Sequence, residues 1–334
     1  MSKITLQDIA DDTGFSVSTI SRVLNGSDKI SDATRNKVIK SAKAHNYHIS
    51  ANNNASPSTR TLNVALVATG FHEGEFYVSF FNGLNKAARQ NNIRLFLSGV
   101  TDEKERVFDV MNEITSSHFD AAIIYVPEFD RKRYERLSKL IPSSFPIVSN
   151  ALIENPVFST ITFDSYSGGH LAAVHFEKNA HRRVGIIKGS PERAESRFRY
   201  NGFADYVNHH KEMELCWTYN GNFTFESGHA AFETFEKLAE KPTAIFASND
   251  DMCNGFMEAG LERGYQFPGD AAIMGYDNLP VCRHNRPTMS SIDTDFQQLG
   301  KATMKLLREK LSHPNQTDTM LSFVPVSIIE RESG

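Results

Sequence analysis

The sequence predicts a small all-α helix-turn-helix head joined by a polar linker to a larger α/β region built on parallel sheets. Three observations carry that prediction. Residues 5–25 hold two short amphipathic helical patterns on either side of Gly14. Residues 50–61 (SANNNASPSTRT) are polar and poor in helix formers, and from Leu62 onward short apolar runs alternate with helical patterns. A chain of 334 residues is too long for one compact core of ordinary size, which suits such a division.

In the first pattern Leu6, Ile9 and Ala10 fall at i, i+3 and i+4, with Thr5 placed as N-cap and Asp8 three residues on, where a carboxylate meets free backbone N–H groups. Gly14 suits the left-handed residue that ends this helix. Ser16 then caps a second helix in which Ile20 and either Val23 or Leu24 turn inward. Its outer face holds Val17, Ser18, Ser21, Arg22 and Asn25, short or hydrogen-bonding side chains suited to a helix pressed against base edges and phosphates. A third helix, from Ser31 as N-cap through Val38, Ile39 and Ala42 to Tyr47, supplies the packing partner of a three-helix DNA-binding unit. An ordinary helical hairpin would share the first two patterns; charge separates the readings. Residues 1–60 hold eight basic and five acidic residues, whereas the rest of the chain holds 28 and 35, so the positive surplus sits where phosphate would be met.

These residues carry a family resemblance. The run Thr5-Leu6, Asp8-Ile9-Ala10, Gly14, Ser16, Thr19 to Asn25, Ser31, Thr34-Arg35 and Lys37-Val38 resembles the DNA-binding signature of the lactose-repressor/galactose-repressor (LacI/GalR) family of bacterial regulators, and the similarity runs nearly to the C-terminus. The resemblance implies that Val17, Ser18 and Arg22 read bases while Ser16, Thr19, Ser21 and Asn25 mostly fix the helix on the backbone, with Thr5, Ser31 and Thr34 as further candidate contacts. It also implies a two-lobed effector domain like a type I periplasmic binding protein. The expected boundaries are a DNA-binding head at 1–49, a hinge at 50–61 and an effector and dimerisation domain at 62–330. Within that domain the N-lobe takes about 62–163 and 294–322 and the C-lobe 164–293 and 323–330, with crossings near Asp164, Asp293 and Ser322.

Strand-like runs begin at Leu62, Ile93, Ala121, Pro146, Arg183, Thr243 and Ala271, and the helical stretches between them, such as 76–90 and 251–263, have the length of βαβ crossovers. Ligands of open α/β sheets bind beyond the carboxyl ends of strands. Phe76, Tyr77, Asn150, Arg199, Phe223, Asn249, Asp250 and Asp277 lie at such ends or on the helices that follow, and are the candidate effector contacts. A ring face, a forked guanidinium, carboxamides and carboxylates suit a polyhydroxylated ligand, because each hydroxyl both donates and accepts. In relatives, the resemblance implies, the equivalents of Arg199, Asn249 and Asp277 bind sugar hydroxyls and that of Phe223 stacks on the ligand. Asp250 and Asp277 would also serve simply as caps of the helices that follow them.

The chain departs from the family pattern twice. Ala151, preceded by Asn150, stands where many sugar-responsive relatives carry an aspartate. In the hinge, Ser56 replaces the leucine that opens the minor groove in relatives, so a weaker operator kink is expected. The helix from Phe296 should pack in the N-lobe, and no leucine-heptad tail predicts a tetramer.

Other classes fit less well. Cys216, Cys253 and Cys282 are scattered, which indicates neither a disulfide framework nor a zinc site; no metal or cofactor is expected. Gly168-Gly169 lacks the lysine-serine of a phosphate loop, and the twelve histidines form no catalytic spacing; His45-x-x-His48 is read as surface or packing. The absence of a long apolar window or an N-terminal secretory signal makes a cytoplasmic protein the expectation. A solute-binding transport component would share the lobes without the basic head. The sequence therefore points to a non-enzymatic homodimeric regulator, acting as a repressor of carbohydrate genes. It is expected to read near-palindromic operator DNA under control of a sugar-like effector.

Overall fold

The computed structural model describes residues 5–24, 30–44, 61–70, 74–100, 104–313 and 318–334. Asn25, Tyr47, the histidines at 45 and 48, and the hinge region with Ser56 (all of 50–61 but its last residue) lie outside the described residues. The chain divides into two compact units, Met1–Thr61 and Leu62–Gly334.

In the first unit α1 (Leu6–Thr13), α2 (Val17–Leu24) and α3 (Asp32–Ala44) enclose a core of Ile9, Ala10, Ile20, Val23, Val38 and Ala42. Local chemistry fixes each end. Thr5 and Asp8 form a reciprocal capping box on α1, and Gly14 closes it at φ 74°, its N–H donating to the Ala10 carbonyl. The backbone N–H of Thr19 donates to Ser16 Oγ and that of Thr34 to Ser31 Oγ, starting the other two helices.

The second unit has two lobes. The chain first runs through β1 (Leu62–Thr69), α4 (Glu75–Gln90), β2 (Ile93–Val100), α5 (Arg106–Ser116), β3 (Ala121–Tyr125), α6 (Arg131–Leu140), β4 (Ile147–Ser149) and β5 (Thr160–Phe163). It continues with α7 (Ser165–Lys178), β6 (Arg183–Lys188), α8 (Ala194–His209), β7 (Glu214–Asn220), α9 (Phe225–Glu236), β8 (Ala244–Ala247), α10 (Asp250–Glu262), β9 (Ala272–Asp277), α11 (Val281–His284) and β10 (Ser290–Asp293). It closes with α12 (Phe296–Ser312), β11 (Leu321–Val324) and β12 (Ser327–Ile329).

The first sheet has the order β2-β1-β3-β4-β5-β11 and is parallel throughout. The second, β7-β6-β8-β9-β10-β12, is parallel except for β12, which runs antiparallel to β10. Apolar clusters cover both faces of each sheet, which is why the central strands are continuous hydrophobic runs rather than alternating ones. Each order reverses direction once, beside β1 and beside β6, and the strand ends at those switch points face the cleft between lobes.

The chain passes between lobes after β5 at Asp164, which caps α7, and after β10 at Asp293. The third passage differs from expectation. Ser322 lies inside β11, paired with Ile161 of the first sheet, and the crossing falls at Pro325 and Val326, because strand pairing holds the chain in the first lobe through Val324. Helix α12 returns to the first lobe, burying Leu299, Met304, Leu306 and Leu307 in the cluster shared with α4.

Glycines set how closely the flanking helices cross. A Cβ on Gly169 of α7 would lie 1.9 Å from the carbonyl oxygen of Arg199 on α8, and one on Gly202 of α8 would lie 1.9 Å from that of Tyr166. Gly83 and Gly300 relate α4 and α12 in the same way, as Gly228 and Gly255 do α9 and α10. Gly168 serves packing too, since a Cβ there would strike the Tyr276 ring at 2.4 Å. Gly169→Ala is therefore expected to destabilise the second unit by about 1–3 kcal/mol through overpacking, read as a lowered Tm. It should also displace Arg199; an unchanged melting curve would contradict this account of the α7–α8 contact.

Candidate functional site

Two places in the molecule have the makings of sites, one in each unit. On the head, Val17, Ser18 and Arg22 of α2 are exposed and Thr19 and Ser21 half-buried, while Ile20 and Val23 turn into the core. Ser16 Oγ lies 2.9 Å from both Ser18 Oγ and Thr19 Oγ1, a hydroxyl cluster at the helix N-terminus. Thr5, Ser16 and Ser31 each stand at a helix N-terminus, where unpaired N–H groups and the positive end of the helix dipole favour phosphate. Thr34 is half-buried, with its hydroxyl 2.9 Å from that of Ser31.

In the second unit a cavity of about 350 Å³ opens between the lobes, within the range usual for small-molecule sites. Phe76, Tyr77, Arg199, Phe223, Asn249 and Asp277 line it. Arg199 comes from the buried side of α8, 6% exposed. Its guanidinium lies 3.5 Å from the centre of the Tyr276 ring, donates to the Ser248 carbonyl and stands 3.6 Å from Asp277 Oδ1. Asp277 ends β9 at φ 109°, a conformation that aspartate adopts at a cost, held by Thr294 Oγ1 donating to its carbonyl. Burial pushes the Asp277 carboxyl well above the usual carboxylate range, against the pull of Arg199. Phe223, at φ 74°, lays its ring over Gly189, where any Cβ would collide with it at 1.9 Å. Asn249 caps α10, its Oδ1 accepting from Met252 N–H, while its Nδ2 donates to the Phe223 carbonyl and anchors that loop.

Two candidates take other roles. Asp250 does not line the cavity. Fully buried at the start of α10, its carboxylate accepts from Leu279 N–H and Ser291 Oγ, both at 2.7 Å, and so ties the helix to β10 and the turn after β9. The helix cap falls to Asn249 instead. Asn150 points into the first lobe: its Nδ2 donates to the Ile161 carbonyl and to Thr303 Oγ1, and it borders only a minor pocket of about 20 Å³ beneath the main one. Ala151 is buried in the adjoining core.

Sequence reasoning missed Tyr125, Arg193, Glu195, Glu226 and Asp251, all of which line the cavity. Tyr125 ends β3, and Arg193 and Glu195 follow β6, so strand ends were the signal; Asp251 sits one residue beyond a candidate already chosen. Several contacts bridge the lobes. Arg193 pairs with Glu128, Lys104 with Glu192 at 3.0 Å, and Arg197 with Glu154 at 3.1 Å. Leu152 N–H donates to Glu195 Oε1 at 3.0 Å and Val281 N–H to Glu75 Oε2 at 2.8 Å.

This geometry can be set beside known proteins. A model of the lacI family of bacterial regulatory proteins matches residues 5–50, and one of periplasmic binding protein-like domains matches residues 173–334. The chain carries a lacI-family DNA-binding domain and a periplasmic binding protein-like domain. It is 25% identical over 332 residues to the transcriptional repressor PurR of Mannheimia succiniciproducens, covering 98% of each protein. It is 26% identical over 330 residues to the ribose operon repressor of Haemophilus influenzae, again with 98% coverage of each. Among solved structures, the lac repressor dimer bound to operator and the anti-inducer ONPF has the same fold, with a TM-score of 0.79 at 21% identity over 99% of both chains. A complex of the regulator CelR with cellobiose matches with a TM-score of 0.72 at 25% identity, over 99% of this chain and all of that one. The curated relatives named here are repressors, and this chain, with its lacI-family DNA-binding domain, is a regulator rather than an enzyme. Among its described residues no helix is long and apolar enough to cross a membrane.

Burial raises Asp250 to about 7, against hydrogen bonds from Leu279 and Ser291, and raises Asp251 to about 6, with help from Glu75 and Glu226. Both folded values lie above the unfolded value near 4, so their stabilising effect is complete below about pH 4 and is lost as pH rises through about 6 to 7. The Tm of the second unit should therefore fall between pH 5 and about 7.5 more steeply than in an Asp250→Asn, Asp251→Asn variant. Equal slopes would assign the pH dependence to other groups. Asp250→Ala should lower stability by about 1–3 kcal/mol by leaving Leu279 N–H unpaired, measured by chemical denaturation.

Proposed function

We propose that this chain is a lacI-family, sequence-specific transcriptional repressor that binds near-palindromic operator DNA as a homodimer and is controlled by a sugar-like effector held between its lobes. Carbohydrate genes are the proposed targets, and the cytoplasm, where a bacterial regulator meets the chromosome, is the proposed compartment. The observation that carries this reading is the pairing of a capped helix-turn-helix with a cleft whose walls come from both lobes. The relatives' names agree: both are repressors, and one is a repressor of a ribose operon. The cellobiose bound by CelR supports a carbohydrate in a cleft of this kind. A transport-system binding protein would share the cleft, but it has no use for the head.

The domains follow from that reading: a DNA-binding head at 1–49, a hinge at 50–61, and an effector and dimerisation domain from 62. Val17, Ser18 and Arg22 read bases; Thr5, Ser16, Thr19, Ser21, Asn25, Ser31 and Thr34 position the head on the backbone. In the cleft, Arg199 and Asp277 offer donor and acceptor to hydroxyls on one edge of a sugar ring, Asn249 its amide, and Phe76, Tyr77 and Phe223 their rings. Closing the lobes on the effector alters how two heads are presented to half-sites about one helical turn or a multiple apart. Coupling of this kind is worth about 1–3 kcal/mol, or roughly five- to 150-fold in operator affinity.

Selection of bound sequences from a random DNA pool, followed by fluorescence anisotropy, tests the head. Arg22→Ala should abolish selectivity, whereas substitutions at Val17 or Ser18 should redirect base preference; uniform loss on every sequence would reduce those two positions to phosphate contacts. In the same assay Arg199→Ala should remove the response to any sugar that shifts operator affinity. A response that survives would place the effector elsewhere.

A further inference from the structure

The charged lining of the cleft is unbalanced. Four carboxylates line the cavity, Glu195, Glu226, Asp251 and Asp277, against two guanidiniums. Each guanidinium already faces a carboxylate, although Arg199 Nε has no hydrogen-bond partner. Arg193 pairs with Glu128 and also reaches the Tyr77 hydroxyl, while Arg199 is held by Asp277 and the Ser248 carbonyl. Asp251 and Glu226 have no ion-pair partner among the described residues, and Glu75, which repels Asp251, accepts only from the Val281 backbone N–H. Burial and then the repulsion of Glu75 and Glu226 push Asp251 up to about 6, the response of a carboxylate whose neighbourhood offers it no cation.

An independent observation points to a donor-rich ligand at the same cavity. Glu195 is 7% exposed, and although its Oε1 accepts from Leu152 N–H, its Oε2 has no hydrogen-bond partner. Asp277, 4% exposed, likewise leaves Oδ1 without a hydrogen bond, its only companion being Arg199 at 3.6 Å. Burial raises both carboxyls, and whether protonated or not each keeps an acceptor oxygen that a ligand N–H or O–H can satisfy. A phosphate or carboxylate group would bring a further anion and no donor. Among the described residues no three acidic, histidine or cysteine side chains are arranged to hold a metal ion, so the missing positive charge suits an organic cation.

We propose that the cleft selects a polyhydroxylated effector bearing one protonated amine and rejects phosphorylated and acidic analogues. The proposal rests on the effector role given to the cleft above. The ammonium lies by Asp251 and Glu226 of the second lobe and faces Glu75 of the first, while the hydroxyls reach Glu195, Arg199 and Asp277. Asp251 Oδ2 comes within 4.0 Å of the position a Cβ would take on Gly74, so this carboxylate already stands against the opposite lobe. A cation there turns repulsion between like charges across the cleft into attraction on both sides, which makes the amine itself a closing signal.

The test is calorimetric titration of the full chain with matched series built on glucose and galactose: the parent sugar, the 2-amino sugar, its N-acetyl form, the 6-phosphate and the aldonic acid. An amino sugar should bind about tenfold or more tighter than its parent and its N-acetyl form, with no binding of the phosphate or acid. That preference should fall to within about threefold in Asp251→Asn and, separately, in Glu226→Gln, the second at an exposed position that folding does not depend on. A parent, phosphate or acid that binds as tightly as the amine, or a preference that survives both substitutions, overturns the proposal. Operator affinity followed in the same titrations separates the two levels: a neutral or acidic sugar that binds and shifts it sinks charge selection and keeps the effector role. If no member of either series binds, both fall.

Discussion

Arg199 is a cation placed almost wholly out of water, and the architecture around the cleft follows from what that placement requires. An isolated guanidinium in such a position would be strongly unfavourable, so it must be surrounded by compensating groups with fixed geometry. The Tyr276 ring lies beneath it, the Ser248 carbonyl accepts from it, and Asp277 faces it in a backbone conformation that aspartate seldom takes. Those three partners come from the ends of β8 and β9, while the arginine comes from α8, so the charge is stable only when helix and sheet are in register. Gly168 and Gly169 make that register possible, one clearing the tyrosine ring and the other letting α8 lie against α7.

The same device recurs. Each wall of the cleft is carried by a helix pressed onto its neighbour through a reciprocal glycine pair: α4 on α12, α8 on α7, α10 on α9. Close backbone contact leaves little room for one helix to slide on the other, because packed interiors resist deformation. The lobes are therefore stiff bodies, and movement is left to the three strands of chain that join them. Stiff lobes with a soft seam are what is needed for a ligand a few ångströms across to change the orientation of groups far away.

How much of this could be read from residues alone depended on how purely local the cause was. The capping of the head by Thr5, Gly14, Ser16 and Ser31 was legible, since caps depend on neighbours in sequence. So were β1, β3, β6, β8 and β9, whose double-sided burial demands unbroken apolar runs. β7, an edge strand with polar residues outward, and β10, which begins with two buried serines, gave no such signal. In the cleft, strand ends announced Asn249 and Asp277, whereas Arg199, inside α8, was legible only through the family resemblance. Adjacent acids at 250 and 251 were indistinguishable by sequence, and only helical phase decides that one is buried against β10 while the other faces the cavity. Asn150 misled for a similar reason: its place after β4 is right, but its side chain turns to β5 and α12.

The pairs that bridge the lobes at Lys104–Glu192 and Arg197–Glu154 are largely exposed, unlike Arg193–Glu128 deeper in the cleft. Exposed pairs weaken as dissolved salt screens them over a Debye length of about 8 Å at physiological ionic strength. Salt also weakens a protein's grip on DNA by competing for phosphates. Ionic strength thus bears on both units of the chain, screening the exposed seam pairs in one and competing for phosphate at the other.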